Sequence, residues 1–199
     1  MRKTATIGML ALMSGAALGG IVSIDEGQVK NIPEVNDPQK NFGEANFVQG
    51  FAESTSITLT ESISIQLGDG SMGILEAGTV VDSHMVYFDP IGNTPRTVRD
   101  IDIQFDSQIL GLVVADSVMI STNDLLGLDD LNYYDGTGGG NYGPNGAPDV
   151  ELFEGSTLNV TLRAGSGDYF RVLTVAAVPT PGSLALLSAA GMIGLRRRR

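Results

Sequence analysis

His84 is the only histidine in a chain of 199 residues, so any imidazole chemistry must pass through it. Triad chemistry sets an imidazole between a nucleophile and an orienting acid. Ser83 is the adjacent hydroxyl, but neighbours along a strand point to opposite faces. No serine sits in a G-x-S-x-G elbow. His84 shares a strand face with Val80, Val86 and Phe88, which predicts a hydrogen-bonded structural histidine. Asp168 and Arg171 are the next candidate pair. Three positions apart on a strand, they lie on opposite faces with Cα atoms about 10 Å apart, so separate partners are expected. Arg171 falls on the face of Tyr169, Leu173 and Val175, where it needs a carboxylate from elsewhere in a structural salt bridge.

Two further sets offer oxygen and aromatic chemistry. Asp130, Asn132 and Asp135 could ligate a hard cation such as calcium. Their spacing departs from the EF-hand pattern: Tyr134 stands where a third Asp or Asn belongs, and Asn141 stands at the twelfth position in place of glutamate. The segment therefore reads first as turn chemistry, and no metal or cofactor is expected. Tyr133, Tyr134 and Tyr142 are the candidate glycan contacts, with rings to stack on sugars and Asp135 and Asn141 to bond hydroxyls. The Gly-rich stretch from Gly136 to Gly146 lacks the lysine of a phosphate cradle. Paired carboxylates for glycoside hydrolysis are not singled out by any spacing. No residue set reaches the standard of an active site, so a non-enzymatic role is expected.

These residues ride on elements with a period of two. Ile57, Leu59, Ile63, Ile65 and Leu67 alternate with polar residues, as one long strand or a strand pair interrupted at Glu61. Thr79 to Phe88 is β-branched and aromatic. Ile101, Ile103 and Phe105 alternate with Asp100, Asp102, Gln104 and Asp106. Ile109 to Ile120 is continuously apolar and reads as a core strand bent at Gly111. Leu158, Val160 and Leu162 alternate in turn, and Tyr169 to Ala176 closes the body. Gly, Asp, Asn and Pro punctuate the gaps, as at Gly68-Asp69-Gly70. Thr122 to Leu131 reads as a short helix or turn, and Asp135 to Asp149 as a long loop. The class expected is all-β: an antiparallel β-sandwich, jelly-roll-like, with a signal helix before it and a short membrane helix after it.

The ends carry processing signals. Arg2 and Lys3 precede an uncharged stretch that lasts until Asp25, with small residues following Ile7 to Leu18. That is the layout of a secretory signal peptide, taken as residues 1–19. An uncleaved anchor from Thr4 to Ile24 is the alternative, since 21 residues suffice to span a bilayer. Residues 20–46 are polar, broken by Pro33 and Pro38, and read as a linker; residues 47–178 are the β-sandwich body. At the other end Pro179, Thr180, Pro181 and Gly182 precede the apolar run Leu184 to Leu195. The four arginines Arg196, Arg197, Arg198 and Arg199 close the chain as a membrane stop.

Residues 179–199 resemble the PEP-CTERM sorting signal, a Pro-Glu-Pro-type motif followed by a transmembrane stretch and a basic end. Thr180 stands where that family has glutamate. The resemblance implies signal peptidase and the export machinery as partners at one end. At the other it implies cleavage near Pro179 to Gly182 by an exosortase-like membrane protease. Phe51-Ala52-Glu53, Asp82 to Pro90, Ile109-Leu110-Gly111, Asp124 to Gly127, Val150-Glu151-Leu152 and Gly167 to Thr174 are similar, in that order, to a group of exported β-rich proteins with the same tail. That likeness implies location and fold, and no mechanism.

Charge agrees with export. All 23 acidic residues lie between the end signals with six of the 12 basic ones, so the processed chain carries a formal charge of −17 against −11 for the whole. Such a surface repels nucleic acid and anionic lipid. There is no cysteine, and so no disulfide or thiolate. The expected function is an exported, structural or adhesive protein, membrane-held before processing and then at the cell surface or in the extracellular matrix. A carbohydrate-binding module that takes extracellular polysaccharide is the alternative, and a secreted hydrolase the third reading.

Overall fold

A computed structural model describes residues 20–30, 45–92, 95–129, 131, 133, 149–164 and 167–176. The strands in chain order are β1 (Ile21–Ile24), β2 (Gln28–Val29), β3 (Gln49–Thr58), β4 (Ile63–Gln66), β5 (Met72–Leu75), β6 (Val80–Phe88), β7 (Arg96–Phe105) and β8 (Ile109–Val113). Helix α1 (Asp116–Leu126) follows, then β9 (Val150–Glu154), β10 (Thr157–Ala164) and β11 (Asp168–Val175). The protein is mostly β, in two sheets. One has the order β1-β7-β10-β9, the other β2-β3-β6-β11-β8-β4-β5. Every described pairing is antiparallel except β2 with β3. Among the described residues no helix is long and apolar enough to cross a membrane.

The Asp100 to Asp106 and Leu158 to Arg163 segments fold as read, while Ile57 to Leu67 divides between β3 and β4, which lie apart in the seven-stranded sheet. Ile101, Ile103 and Phe105 of β7 meet Leu158 and Val160 of β10 in one core, while Asp100 and Asp102 face out. The central strands β6 and β11 behave differently, because both of their faces are covered. The side bearing His84, Val172 and Thr174 faces the four-stranded sheet, with the His84 and Phe105 rings 5.2 Å apart. The side bearing Arg171 and Ser83 lies under α1. Burial on both sides explains a strand that is buried almost throughout.

Two expectations need correction. The run from Ile109 to Ile120 is not one strand: β8 stops at Val113 and α1 begins at Asp116. A continuous apolar run cannot tell a buried strand from a buried helix face. Val118, Met119, Leu125 and Leu126 are spaced for a helix, with Met119, Thr122 and Leu126 buried. Asp116 in the first turn suits the helix dipole. Second, the supposed linker is partly sheet. Ile21–Ile24 pairs with β7, and Gln28–Val29 pairs with β3. A short apolar strand directly after a greasy leader reads as more leader.

Gly111 tests the packing between β8 and β4. A Cβ there would overlap the Ile65 side chain, coming within 2.9 Å of its Cβ and closer to its Cδ1. Gly111→Ala is expected to cost about 1–3 kcal/mol by overpacking. Urea denaturation checks it, and an unchanged midpoint would show that Ile65 can step aside.

Candidate functional site

The largest polar construction in the described structure surrounds Arg171, which has no exposed surface. A β-bulge in β3 sets it up: the register with β6 slips between Ala52 and Ser54, and again between Ser54 and Ile57. An extra residue lets two successive side chains serve the same side of a strand. Glu53 reaches Arg171, with Nε donating to Oε2 at 2.7 Å and Nη2 to Oε1 at 3.0 Å. Ser54 Oγ donates to the Gly127 carbonyl just past α1 at 2.9 Å. Ser56, at a left-handed φ of 55°, donates its N–H to Asp82 Oδ1.

The remaining Arg171 donors go to α1. Nη1 bonds Thr122 Oγ1 at 2.9 Å, and Nη2 bonds Asn123 Oδ1 at 3.1 Å. Ser83 Oγ donates to Glu53 Oε2 at 2.8 Å. Tyr133 covers the group, with its ring centroid 5.6 Å from the guanidinium carbon. Its hydroxyl accepts the Leu128 N–H at 3.0 Å. Burial, with the Glu53 charge adding to it, pushes the Tyr133 pKa well above that of an ordinary phenol. Burial opposes the Arg171 charge, but Glu53 and Tyr133 together outweigh it and the Arg171 pKa lies above its usual value. This is a bidentate pair with its donors satisfied. It ties β3, β6, β11 and α1 together.

His84 is also fully buried. Its Nε2 lies 3.1 Å from Thr174 Oγ1, and its Nδ1 has no hydrogen-bond partner. Burial lowers its pKa, against the partial opposition of Asp82, Glu53 and Asp106. A neutral imidazole sealed from solvent is the structural histidine expected from the strand pattern. The Asp168 and Arg171 readings also agree with the structure, since the two have different surroundings.

Asp168 belongs to a second group that the sequence did not single out, with Glu151 and Asp149. Asp168 and Glu151 are only 5% and 6% exposed. Asp168 Oδ2 and Glu151 Oε1 have no hydrogen-bond partner. Burial raises Glu151 to about 7, helped by Asp149 and opposed by Gln66. Burial likewise raises Asp168 to about 7, helped by Asp149 and Glu151. Their separation along the chain hid them: 17 positions divide Glu151 from Asp168. Among the described residues no three such side chains are gathered to hold a metal ion.

A shallow surface cleft of about 470 Å³ lies at the edge of the four-stranded sheet, lined by Gly68, Leu152, Phe153, Glu154, Thr157 and Asn159. Its polar side chains are held by their neighbours. Asn159 Nδ2 donates to Asp102 Oδ1 at 2.7 Å, and Thr157 Oγ1 to Gln104 Oε1 at 2.8 Å. Of the proposed tyrosine platform, Tyr133 is half-buried, with the Arg171 guanidinium beside its ring and the Leu128 N–H on its hydroxyl. Tyr134 and Tyr142 lie outside the described residues, as do Asp130, Asn132 and Asp135, Pro179 to Gly182 and Arg196 to Arg199.

No family model, no curated protein and no solved structure matches the chain.

Proposed function

We propose that this chain is an exported, non-enzymatic protein of the cell surface or extracellular matrix, released from a membrane-held precursor by cleavage near Pro179 to Gly182. One observation carries the reading. Among the described residues the first strand begins at Ile21, just past the candidate signal-peptide sites, and the last ends at Val175, just before Pro179. The described sheets therefore lie between the two candidate processing signals. The polar groups at the centre support a structural role, because Arg171, Glu53 and His84 are buried where no dissolved substrate meets them.

Intact-mass measurement of the released protein is expected to show loss of residues 1–19 or a near neighbour of that boundary, and loss of Arg196 to Arg199. Released protein that still carries the arginines would defeat the proposal. Deleting the four arginines is expected to shift the precursor from membrane to soluble fractions. An unchanged distribution would remove their role as a stop.

Glycan binding is the second reading, and the cleft favours it at a new place. Leu152 and Phe153 present apolar surface beside the hydroxyl of Thr157, the amide of Asn159 and the carboxylate of Glu154. Apolar walls with a few oriented polar groups suit a small ligand. Sugars combine such faces, and the acid-rich chain favours neutral ones.

A further inference from the structure

Among the described residues, strand β5 ends the seven-stranded sheet and pairs on one side only, with β4. The Leu67 N–H donates to the Ser71 carbonyl, so that carbonyl faces β4. Backbone direction alternates along a strand. Gly73 and Leu75 therefore turn their peptide groups toward β4, and Met72 and Ile74 turn theirs outward. The side chains of Met72 and Ile74 are 59% and 67% exposed. Exposed edges are usually defended by lysine, proline, a bulge or an inward charge. Here residues 70–75 carry no charge and no proline, and the β4–β5 register runs without a bulge.

The surrounding charge has one sign. No Lys or Arg occurs between Lys40 and Arg96. Asp69 stands before β5 and Glu76 after it. Ser62 Oγ bonds Glu76 Oε2 at 2.8 Å, which brings the turn bearing Glu61 to the same end. We propose that β5 is a docking edge for an extended segment of another polypeptide, one with alternating apolar side chains and lysine or arginine at its flanks. Outward peptide groups at Met72 and Ile74 would pair with the incoming strand. Basic flanks would meet Asp69 at one end and Glu61 and Glu76 at the other. A second copy of this chain fits less well. It would bring the same acids and no compensating cation near the edge, and a four-residue strand is short for the roughly 1,200–2,000 Å² of a stable interface. The inference rests on strand order, exposure and charge, and it stands or falls apart from the export reading.

The test uses the isotope-labelled protein and a short synthetic peptide of alternating threonine and valine with lysines at both ends. Saturable amide shifts are expected at β5 and its flanks, weakening by about tenfold or more between low and high salt as screening shortens the reach of charge. A peptide with glutamates in place of the lysines should leave the spectrum unchanged. Ile74→Lys and Met72→Lys, both at exposed positions, should abolish the shifts and leave the rest of the amide spectrum intact. Four outcomes overturn the proposal: no saturable shifts, shifts centred away from β5, equal response to the glutamate peptide, or β5 shifts that follow the protein's own concentration without peptide. The last would make a second copy the occupant.

Discussion

Arg171→Met lowers stability by about 3–5 kcal/mol, the cost of leaving one partner of a buried ion pair alone. The loss falls on several groups at once. Glu53 is left in the interior without the guanidinium, with hydroxyls such as that of Ser83 as its neighbours. Thr122 and Asn123 lose the donors that pin α1 to the sheet. The Tyr133 ring loses the cation beneath it. Glu53→Met should cost a similar amount from the other side, because it strands the guanidinium. Glu53→Met with Arg171→Met should be much less damaging than the two single effects added together, since apolar replacement of both members of a buried pair is often tolerated. Urea denaturation of the four proteins measures the coupling. Single losses below about 1 kcal/mol would mean that water reaches the pair and that it behaves as a surface one. A total stability of about 5–15 kcal/mol makes the predicted loss a large share of the whole.

The second large effect is on pH. Stability is expected to fall as pH rises from about 4 to 7 and to level off above. Glu151 and Asp168 titrate near 7 in the folded protein, against ordinary values of 4.5 and 3.8. Between those values and 7 the folded protein holds protons that the unfolded chain has already released. Each raised proton-binding site then lowers stability with rising pH, at a slope of at most about 1.4 kcal/mol per pH unit. The cause is the arrangement of the two carboxyls. The Asp149 charge raises the cost of ionising both, beyond the cost of their burial. Glu151→Gln and Asp168→Asn should each flatten the curve and make the protein more stable than the wild type at pH 8. His84 works in the opposite direction. Its depressed pKa means that the unfolded chain takes up a proton first, so its contribution to stability is lost as pH falls below about 6.5. Denaturation midpoints across pH 4 to 9 for the wild type and the two carboxyl variants separate these effects. Identical slopes in all three proteins would show that Glu151 and Asp168 are solvated.

Much of the fold was legible because alternation is a local property. Asp100 to Asp106 and Leu158 to Arg163 show one wet face and one dry face, and each became a strand of the four-stranded sheet. Legibility failed in the apolar run from Ile109 to Ile120 and where a strand is short. Ile109 to Ile120 has no alternation to read, so its division between β8 and α1 depends on what α1 must cover. Met72–Leu75 is four residues long and mostly exposed, too weak a pattern to register as a strand in the sequence.

The candidate sites divide in the same way. The identity of Arg171 and its place among apolar neighbours were enough to demand a buried carboxylate. One histidine on an apolar strand face was enough to make it structural, and the absence of cysteine removed thiol chemistry outright. These conclusions need only side-chain chemistry and the direction of the next residue. Which carboxylate answers Arg171 was decided by a bulge in β3, 118 positions away. The approach of Glu151 in one sheet to Asp168 in the other, the seating of Tyr133 beside Arg171, and the outer edge at β5 were decided by the tertiary arrangement. Packing and pairing join residues without regard to their separation along the chain. Burial, which shifts the carboxyls to about 7, exists only once those residues have met.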